Sequence, residues 1–195
     1  RALADQPRSV ALLLPGLKTE QAQAVAEALL LAAHAHAFKM PQLKGKPAAS
    51  KALGRIRLLG LPAHLELGAT EIAARTQNLA RWLTALPPNR LDAPAYRALA
   101  TELAKQFGWK VRWLGESELR KLGAGAFLAV CQGNASRDAG ILHLRYQPGT
   151  PAQGKALALV GKGILFDTGG NNVKTHKSML DMHEDMAGSA VALAT

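Results

Sequence analysis

Short apolar runs alternate with longer amphipathic segments along the chain, and this alternation predicts an α/β fold. Strands are predicted at residues 10–14, 56–59, 110–114, 126–131, 141–146 and 156–160. Helices are predicted at residues 20–37, 70–86, 92–107 and 116–122, and from about residue 185 into the C-terminus. Because strands and helices interleave, we expect parallel pairing to dominate a mixed sheet in the larger part of the molecule.

Residues typical of caps and stops set the boundaries of these elements. Thr19 and Thr70 are the expected N-caps of the first two helices, and Asp92 that of the third. Pro87 and Pro88 end the second helix because neither residue can extend it. We therefore expect a partial N-terminal α/β domain at 1–69, a linker helix at 70–86, and the first part of a larger α/β domain at 87–195.

Composition narrows the function classes. The apolar run at 10–14 stops at Pro15, so no segment has the roughly 18 apolar residues that a membrane span needs. The single cysteine, Cys131, cannot form an internal disulfide, which fits a reducing, cytoplasmic compartment. The formal net charge of +10 raises a nucleic-acid partner as one hypothesis. The lysines and arginines are scattered, however, and this favours a solvated basic surface.

The segment 157–174 carries the first candidate chemistry. A buried strand is expected to end at Gly161, followed by Lys162, Asp167, a glycine turn and Lys174. Ligand sites of open α/β folds lie beyond the carboxyl ends of strands, where this segment places a lysine and an aspartate. The spacing matches neither dinucleotide nor phosphate-loop motifs. The alternative interpretation of this segment is a strand, a tight turn and two surface lysines.

A second cluster of polar residues, at 181–185, precedes the last predicted helix. Asp181, Glu184 and Asp185 are favoured near a helix N-terminus, so capping is the first interpretation and divalent-cation binding the second. His183 and Glu184 resemble the start of a zincin motif, but no second histidine follows at the required offset. Nothing marks Cys131 as a nucleophile.

These two stretches closely resemble the leucyl aminopeptidase family, the cytosol aminopeptidases. Residues 160–174, VGKGILFDTGGNNVK, match the family pattern V-G-K-G-[IL]-x-F-D-[ST]-G-G-x-x-x-K. Residues 182–190, MHEDMAGSA, match M-x-x-D-M-x-G-[AS]-A. Residues 86–94 and 123–133 resemble the entry to the catalytic domain and a later glycine-containing segment of that family. The resemblance covers about residues 70–195 well and 1–69 loosely.

The resemblance implies a two-metal aminopeptidase with zinc, manganese or magnesium. In that family Lys162 would ligate one cation through its amine, Asp167 would bridge both, and Asp185 would join Lys162 on the same cation. Lys174 would be the catalytic lysine that polarises the scissile carbonyl and stabilises the oxyanion. A lysine ligates only when neutral, so its pKa would have to fall strongly at the site. Peptide substrates, a cytoplasmic location and a homo-hexamer are also implied.

Departures from the family pattern limit what the chain alone would do. Thr168 and Asn172 stand where the family often has serine. The family segment that supplies a further Asp and Glu to the metals, and an Arg that holds bicarbonate as general base, lies beyond the last residue, Thr195. We therefore expect the complete protein to be a metalloaminopeptidase and this chain to be inactive alone. The alternatives are a basic nucleic-acid-binding protein and a non-catalytic assembly subunit of the same family.

Overall fold

The computed structural model describes residues 7–43, 45, 53–62, 64–149 and 154–195. The chain forms two compact units, one of residues Arg1–Ala85 with Ala190–Thr195 and the other of Leu86–Ser189. The three-part division at 1–69, 70–86 and 87–195 stays a prediction. None of the described helices is both long and apolar enough to cross a membrane.

The first unit is built on a parallel pair of strands, each followed by a helix. In chain order its elements are β1 (Ser9–Leu13), α1 (Thr19–Ala37), β2 (Arg55–Leu59) and α2 (Gly68–Thr84). The register aligns Ser9 with Arg55 and Leu13 with Leu59. Along both strands exposed and half-buried side chains alternate, as the two-residue period of a strand requires. The strands and helices predicted for this unit are all present, and only their ends differ, by one or two residues.

Polar side chains of α2 cap the C-terminal end of α1. The buried Asn78 amide donates to the His34 carbonyl at 3.1 Å, and the Arg81 guanidinium donates to the Ala35 carbonyl at 2.8 Å. Arg81 also donates to the Asn78 side-chain oxygen at 2.7 Å. The Ala35 carbonyl lies in the last turn of α1, where a helix offers few partners, so the Arg81 bond helps to satisfy it. The His34 carbonyl already accepts from the Phe38 amide at 3.1 Å, and Asn78 adds a second bond.

The second unit combines an antiparallel strand pair with short helices. Its elements are α3 (Ala93–Phe107), β3 (Lys110–Gly115), α4 (Glu116–Lys121), α5 (Gly125–Cys131), β4 (Gly140–Arg145), α6 (His176–Met179), a 3-10 turn (Met182–Glu184) and the start of α7 (Ala187–Ala194). Strands β3 and β4 pair with Lys110 opposite Arg145. The mixed α/β class is therefore confirmed.

Helix α3 shows why some boundaries could be predicted. The Asp92 carboxylate accepts a hydrogen bond from the Ala95 amide at 2.8 Å and so caps the helix. Pro94 lies in the first turn, where a missing N–H costs nothing. Gly108 ends the helix in the left-handed conformation, with φ of 70°.

The structure corrects two predicted strands. Residues 126–131 lie in α5, where Leu128 donates to the Ala124 carbonyl at 3.0 Å. A short apolar run has no periodicity that separates a strand from a helix, and this one begins three residues after the Gly123 turn. Residues 156–160 form no strand, since no described segment pairs with them; Leu157 is 86% exposed and Val160 96%. Within the described part of this unit, the observed strand pairing is antiparallel rather than parallel.

Candidate metal centre

Lys162 and Asp185 meet although 23 positions separate them in the chain. The Lys162 Nζ atom donates to Asp185 Oδ1 at 2.7 Å. The lysine side chain is 55% exposed, whereas that of Asp185 is only 18% exposed. The amine can therefore be reached from solvent while the carboxylate is largely enclosed.

A close backbone approach produces this meeting. The Ser189 amide, in the first turn of α7, donates to the Lys162 carbonyl at 2.8 Å. A Cβ atom at Gly161 would lie 2.4 Å from the Gly188 carbonyl oxygen, and one at Gly188 would lie 3.0 Å from the Lys162 amide nitrogen. Only glycines allow the two backbone segments to approach this closely. We refer to this contact of residues 161–163 with residues 188–189 as the glycine joint.

Asp167 and Lys174 belong to one tight turn. The Gly169 amide donates to Asp167 Oδ1 at 2.8 Å, and the Lys174 amide donates to the Thr168 carbonyl at 2.9 Å. Gly169 has φ of 90°, and a Cβ there would lie 2.4 Å from the Asn172 carbonyl oxygen. The turn brings Lys174 Nζ to 3.4 Å from Asp167 Oδ2. The second pair is thus formed locally, over seven residues of chain.

Electrostatics link the two pairs. The pKa of Asp167 is lowered, first by the hydrogen bond from the Gly169 amide, then by Lys174 and by the charge of Lys162. The Lys162 amine, which contacts Asp185, is therefore close enough for its charge to act on Asp167 as well. The four residues singled out by the sequence thus form two ion pairs, which we refer to together as the cluster.

Asp185 has an oxygen atom suited to a cation. Its Oδ2 atom is buried and, among the described residues, lacks a hydrogen-bond partner. A buried carboxylate oxygen without a partner is costly, and a bound cation would satisfy it. The carboxylates of Asp167 and Asp185 with the Lys162 amine are a donor set that fits a divalent ion.

The donor set within the described residues is incomplete. Nowhere in the described part of the chain do three or more His, Cys, Asp or Glu side chains come together in a metal-binding group. The cluster contains two carboxylates, fewer than two neighbouring dications would need to offset their charge.

A comparison with known families decides the relationship. The sequence model of the catalytic domain of the cytosol aminopeptidase family matches residues 78–195, which include the whole cluster. The chain belongs to the cytosol aminopeptidase family.

Curated relatives agree with this assignment. A probable cytosol aminopeptidase of Synechococcus sp. (strain CC9311) is 38% identical over 200 residues, covering 99% of this chain and 39% of the relative. Another, from Synechococcus sp. (strain JA-3-3Ab), is 40% identical over 199 residues, covering 95% of this chain and 38% of the relative. The chain thus spans about two fifths of the length of these curated cytosol aminopeptidases.

Solved structures show the same fold. A tomato leucine aminopeptidase mutant aligns with a TM-score of 0.80 at 24% identity, covering 99% of this chain and 38% of that one. The bottromycin maturation enzyme BotP, solved in complex with Mn, aligns with a TM-score of 0.71 at 25% identity, covering 99% of this chain and 40% of that one.

Helix capping, the first interpretation of the acidic residues at 181–185, is not what the structure shows for Asp185 or Asp181. The Asp185 carboxylate is bonded to Lys162, and none of its described hydrogen bonds goes to a backbone amide of α7. Asp181 precedes the 3-10 turn without a side-chain capping bond. His183 Nε2 lies 3.9 Å from Glu184 Oε1, and neither residue joins the cluster. Ser189, whose amide bonds to the Lys162 carbonyl, carries no signal in the sequence beyond being a small residue between Gly188 and Ala190.

Proposed function

We propose that the complete protein is a two-metal aminopeptidase that releases N-terminal residues such as leucine from peptides. The observations that support this proposal are the ion pairs Lys162–Asp185 and Lys174–Asp167 and the family match. The buried, unpartnered Asp185 Oδ2 atom supports it further. Neither the geometry nor the family match supports the nucleic-acid-binding or assembly-subunit alternatives.

Lys162, Asp167 and Asp185 would hold the cations. Asp185 would offer its buried Oδ2 atom, and Lys162 would join the same cation as a neutral amine, giving up its proton. Asp167 keeps Oδ1 bonded to the Gly169 amide, which fixes the direction of its carboxylate, and it would help to hold both cations. Bound there, the cations would generate hydroxide from water near neutral pH and offset negative charge that develops on the substrate.

Lys174 would act on the substrate directly. Its side chain is 29% exposed, so the amine is partly enclosed but can reach a bound peptide. A charged amine would donate a hydrogen bond to the scissile carbonyl oxygen and stabilise the oxyanion as water attacks. The turn at 168–174 holds its backbone in place, so little reorganisation accompanies the reaction.

The proposal also covers the identity of the metal, the general base, the assembly and the location of the protein. The Mn complex of BotP supports manganese, with zinc or magnesium as the other divalent candidates. Bicarbonate as general base and a homo-hexameric assembly follow from the family resemblance alone. The names of the curated relatives support a cytosolic location.

Chelation of the complete protein tests the proposal. We expect it to release p-nitroaniline from leucine p-nitroanilide, to lose this activity with a chelator, and to regain it with added Mn²⁺. Replacing Lys174 by Met should lower kcat by about 10²-fold or more, the usual effect of removing an oxyanion donor. Lys177→Met is the matched control, since Lys177 is an exposed lysine three residues away. Chelator-resistant activity, or no activity with any divalent cation, would refute the proposal.

A further inference from the structure

A small cavity in the second unit contains none of the residues of the cluster. Its lining comes from the start of α3, the junction of β3 with α4, and the loop that precedes β4. Its volume is about 200 Å³. Pockets for drug-sized ligands begin at about 300 Å³, so this cavity suits a small metabolite rather than a peptide.

Trp113 forms one part of the lining, and glycines make room for its ring. Gly115 and Gly140 are opposite each other in the register of β3 and β4. A Cβ atom at Gly140 would lie 2.4 Å from the Trp113 ring, so only glycine lets the indole lie this close to the strand pair. The Arg97 guanidinium lies above the same ring, 5.0 Å from its centroid, where cation–π attraction holds it. Stacking of this kind orients a guanidinium and leaves its N–H groups free to bind an anion.

Arg137 and Glu116 form another part of the lining, and each satisfies the charge of the other. Arg137 Nε donates to Glu116 Oε2 at 2.9 Å, and Arg137 also donates to the Gln132 carbonyl at 3.0 Å. Arg120 Nε adds a bond to Glu116 Oε1 at 3.2 Å. These bonds hold Arg137 at φ of 51°, a left-handed conformation that costs energy in a residue with a side chain and that is often found at binding sites. Both charges are thus paired within the protein, and neither is left for a ligand.

Two other charges in the lining have no partner of opposite sign. Among the described residues, nothing forms an ion pair or a hydrogen bond with the Arg97 guanidinium, which contacts only the Trp113 ring. Asp138 Oδ1 accepts a hydrogen bond at 2.7 Å from the Asn134 amide, a neutral group, and within the described part of the chain it has no ion pair. The cavity therefore presents one cation and one anion that do not pair with each other.

We propose that this cavity binds a free α-amino acid, with the ligand carboxylate on the Arg97 guanidinium and the ligand ammonium on the Asp138 carboxylate. The planar fork of an arginine can donate two parallel hydrogen bonds to a carboxylate. A zwitterion satisfies both unpaired charges, whereas a simple anion would be repelled by Asp138 and a simple cation by Arg97. The site does not depend on the metal centre. If the proposed function holds, its ligand is of the same class as the released product.

Binding of L-alanine to the metal-free chain, measured by isothermal titration calorimetry, tests the site. Its small side chain leaves the two charged ends as the main contacts. We expect one L-alanine to bind to each chain. L-alanine methyl ester lacks the carboxylate and N-acetyl-L-alanine lacks the ammonium, so each should bind roughly tenfold more weakly, the effect of losing a hydrogen bond between charged groups.

Two variants match the two ends of the ligand. Arg97→Met should weaken L-alanine binding roughly tenfold and leave the affinity for the methyl ester unchanged, because the ester has no carboxylate to lose. Asp138→Asn should weaken L-alanine binding by a similar factor and leave the affinity for N-acetyl-L-alanine unchanged. Arg90→Met and Glu102→Gln change exposed residues outside the lining and are the matched controls, which should bind L-alanine like the original chain.

Three results would overturn the site. They are no binding of L-alanine at millimolar concentrations, equally tight binding of L-alanine and either analogue, and unchanged affinity for L-alanine in both variants. If Arg97→Met fails to fold, Asp138→Asn decides, because its amide oxygen can still accept the Asn134 bond. Since no metal or peptide is present, failure of the aminopeptidase proposal would leave these results unaffected.

Discussion

The two ion pairs of the candidate centre have the same chemistry and different supports. Lys162 meets Asp185 across 23 positions, and their contact depends on the glycine joint between two separate backbone segments. Lys174 meets Asp167 only seven positions away, within a turn whose own hydrogen bonds fix it. The first pair is therefore expected to depend on tertiary packing, and the second to survive as long as its turn does.

The largest effect is expected from a side chain at the joint. In Gly161→Ala the new Cβ would lie 2.4 Å from the Gly188 carbonyl oxygen, so the backbone must separate. We expect a loss of about 3 kcal/mol in the free energy of unfolding, measured by urea denaturation. Acetic anhydride reacts with an amine that has left its ion pair, so labelling read by mass spectrometry should rise at Lys162 and stay unchanged at Lys174. Gly133→Ala is the control, because nothing lies close to that glycine. Equal stability of the two variants would show that the glycine joint does not need its close backbone approach.

Gly169→Ala should affect the Lys174 pair rather than the Lys162 pair, with a smaller loss in the free energy of unfolding. The substitution strains a backbone with φ of 90° and brings a Cβ to 2.4 Å from the Asn172 carbonyl oxygen. We expect a loss of about 2 kcal/mol, with Lys174 labelled faster and Lys162 unaffected. Gly170→Ala shares the positive φ, 65°, but has open space, and so isolates the cost of the conformation. If both lysines responded together, the two supports would not be independent.

These supports explain what the sequence could and could not predict. The turn residues Asp167, Gly169 and Lys174 lie within eight positions, so their spacing alone indicated a local arrangement. The glycine joint is different, because Gly161 and Gly188 carry no signal that they touch until the chain has folded. Asp185 was for the same reason first interpreted as a helix cap.

The predicted helices and strands show the same distinction between local signals and long-range contacts. The boundaries of α3 were predicted because Asp92 and Gly108 act on their immediate neighbours. Residues 126–131 were assigned to a strand because five or six apolar residues fit either element. Residues 156–160 were also assigned to a strand, but a strand needs a paired neighbour, which no local pattern supplies.

Asp185→Asn tests whether Asp185 serves mainly to bind a cation or mainly to stabilise the fold. Lys162 is more than half exposed, so losing its partner should change the free energy of unfolding without metal by less than about 1 kcal/mol. In the complete protein, the stabilisation that saturating Mn²⁺ gives should fall sharply, since Asp185 Oδ2 is gone. Undiminished stabilisation by Mn²⁺ would show that this carboxylate holds no metal.

The smallest effect concerns acid stability of the second pair. The pKa of Asp167 lies below its ordinary 3.8 in the folded chain, because the Gly169 amide and the two lysines favour the carboxylate. Its contribution to stability is thus full above about pH 3.8 and is lost as the pH falls through the lower folded value. Compared with the original chain, Asp167→Asn should be slightly less stable at pH 6 and equally stable near pH 2, since solvent screens the pair. A difference that grows on acidification would contradict the assigned shift.

Metal content of the complete protein is the most direct test of the centre. After loading with Mn²⁺ and dialysis, elemental analysis should find two cations for each chain, and clearly fewer in Asp167→Asn, because a carboxylate proposed to hold both cations is lost. Two cations in both proteins, or none in the original, would contradict the assignment of Lys162, Asp167 and Asp185 as ligands of a two-metal centre.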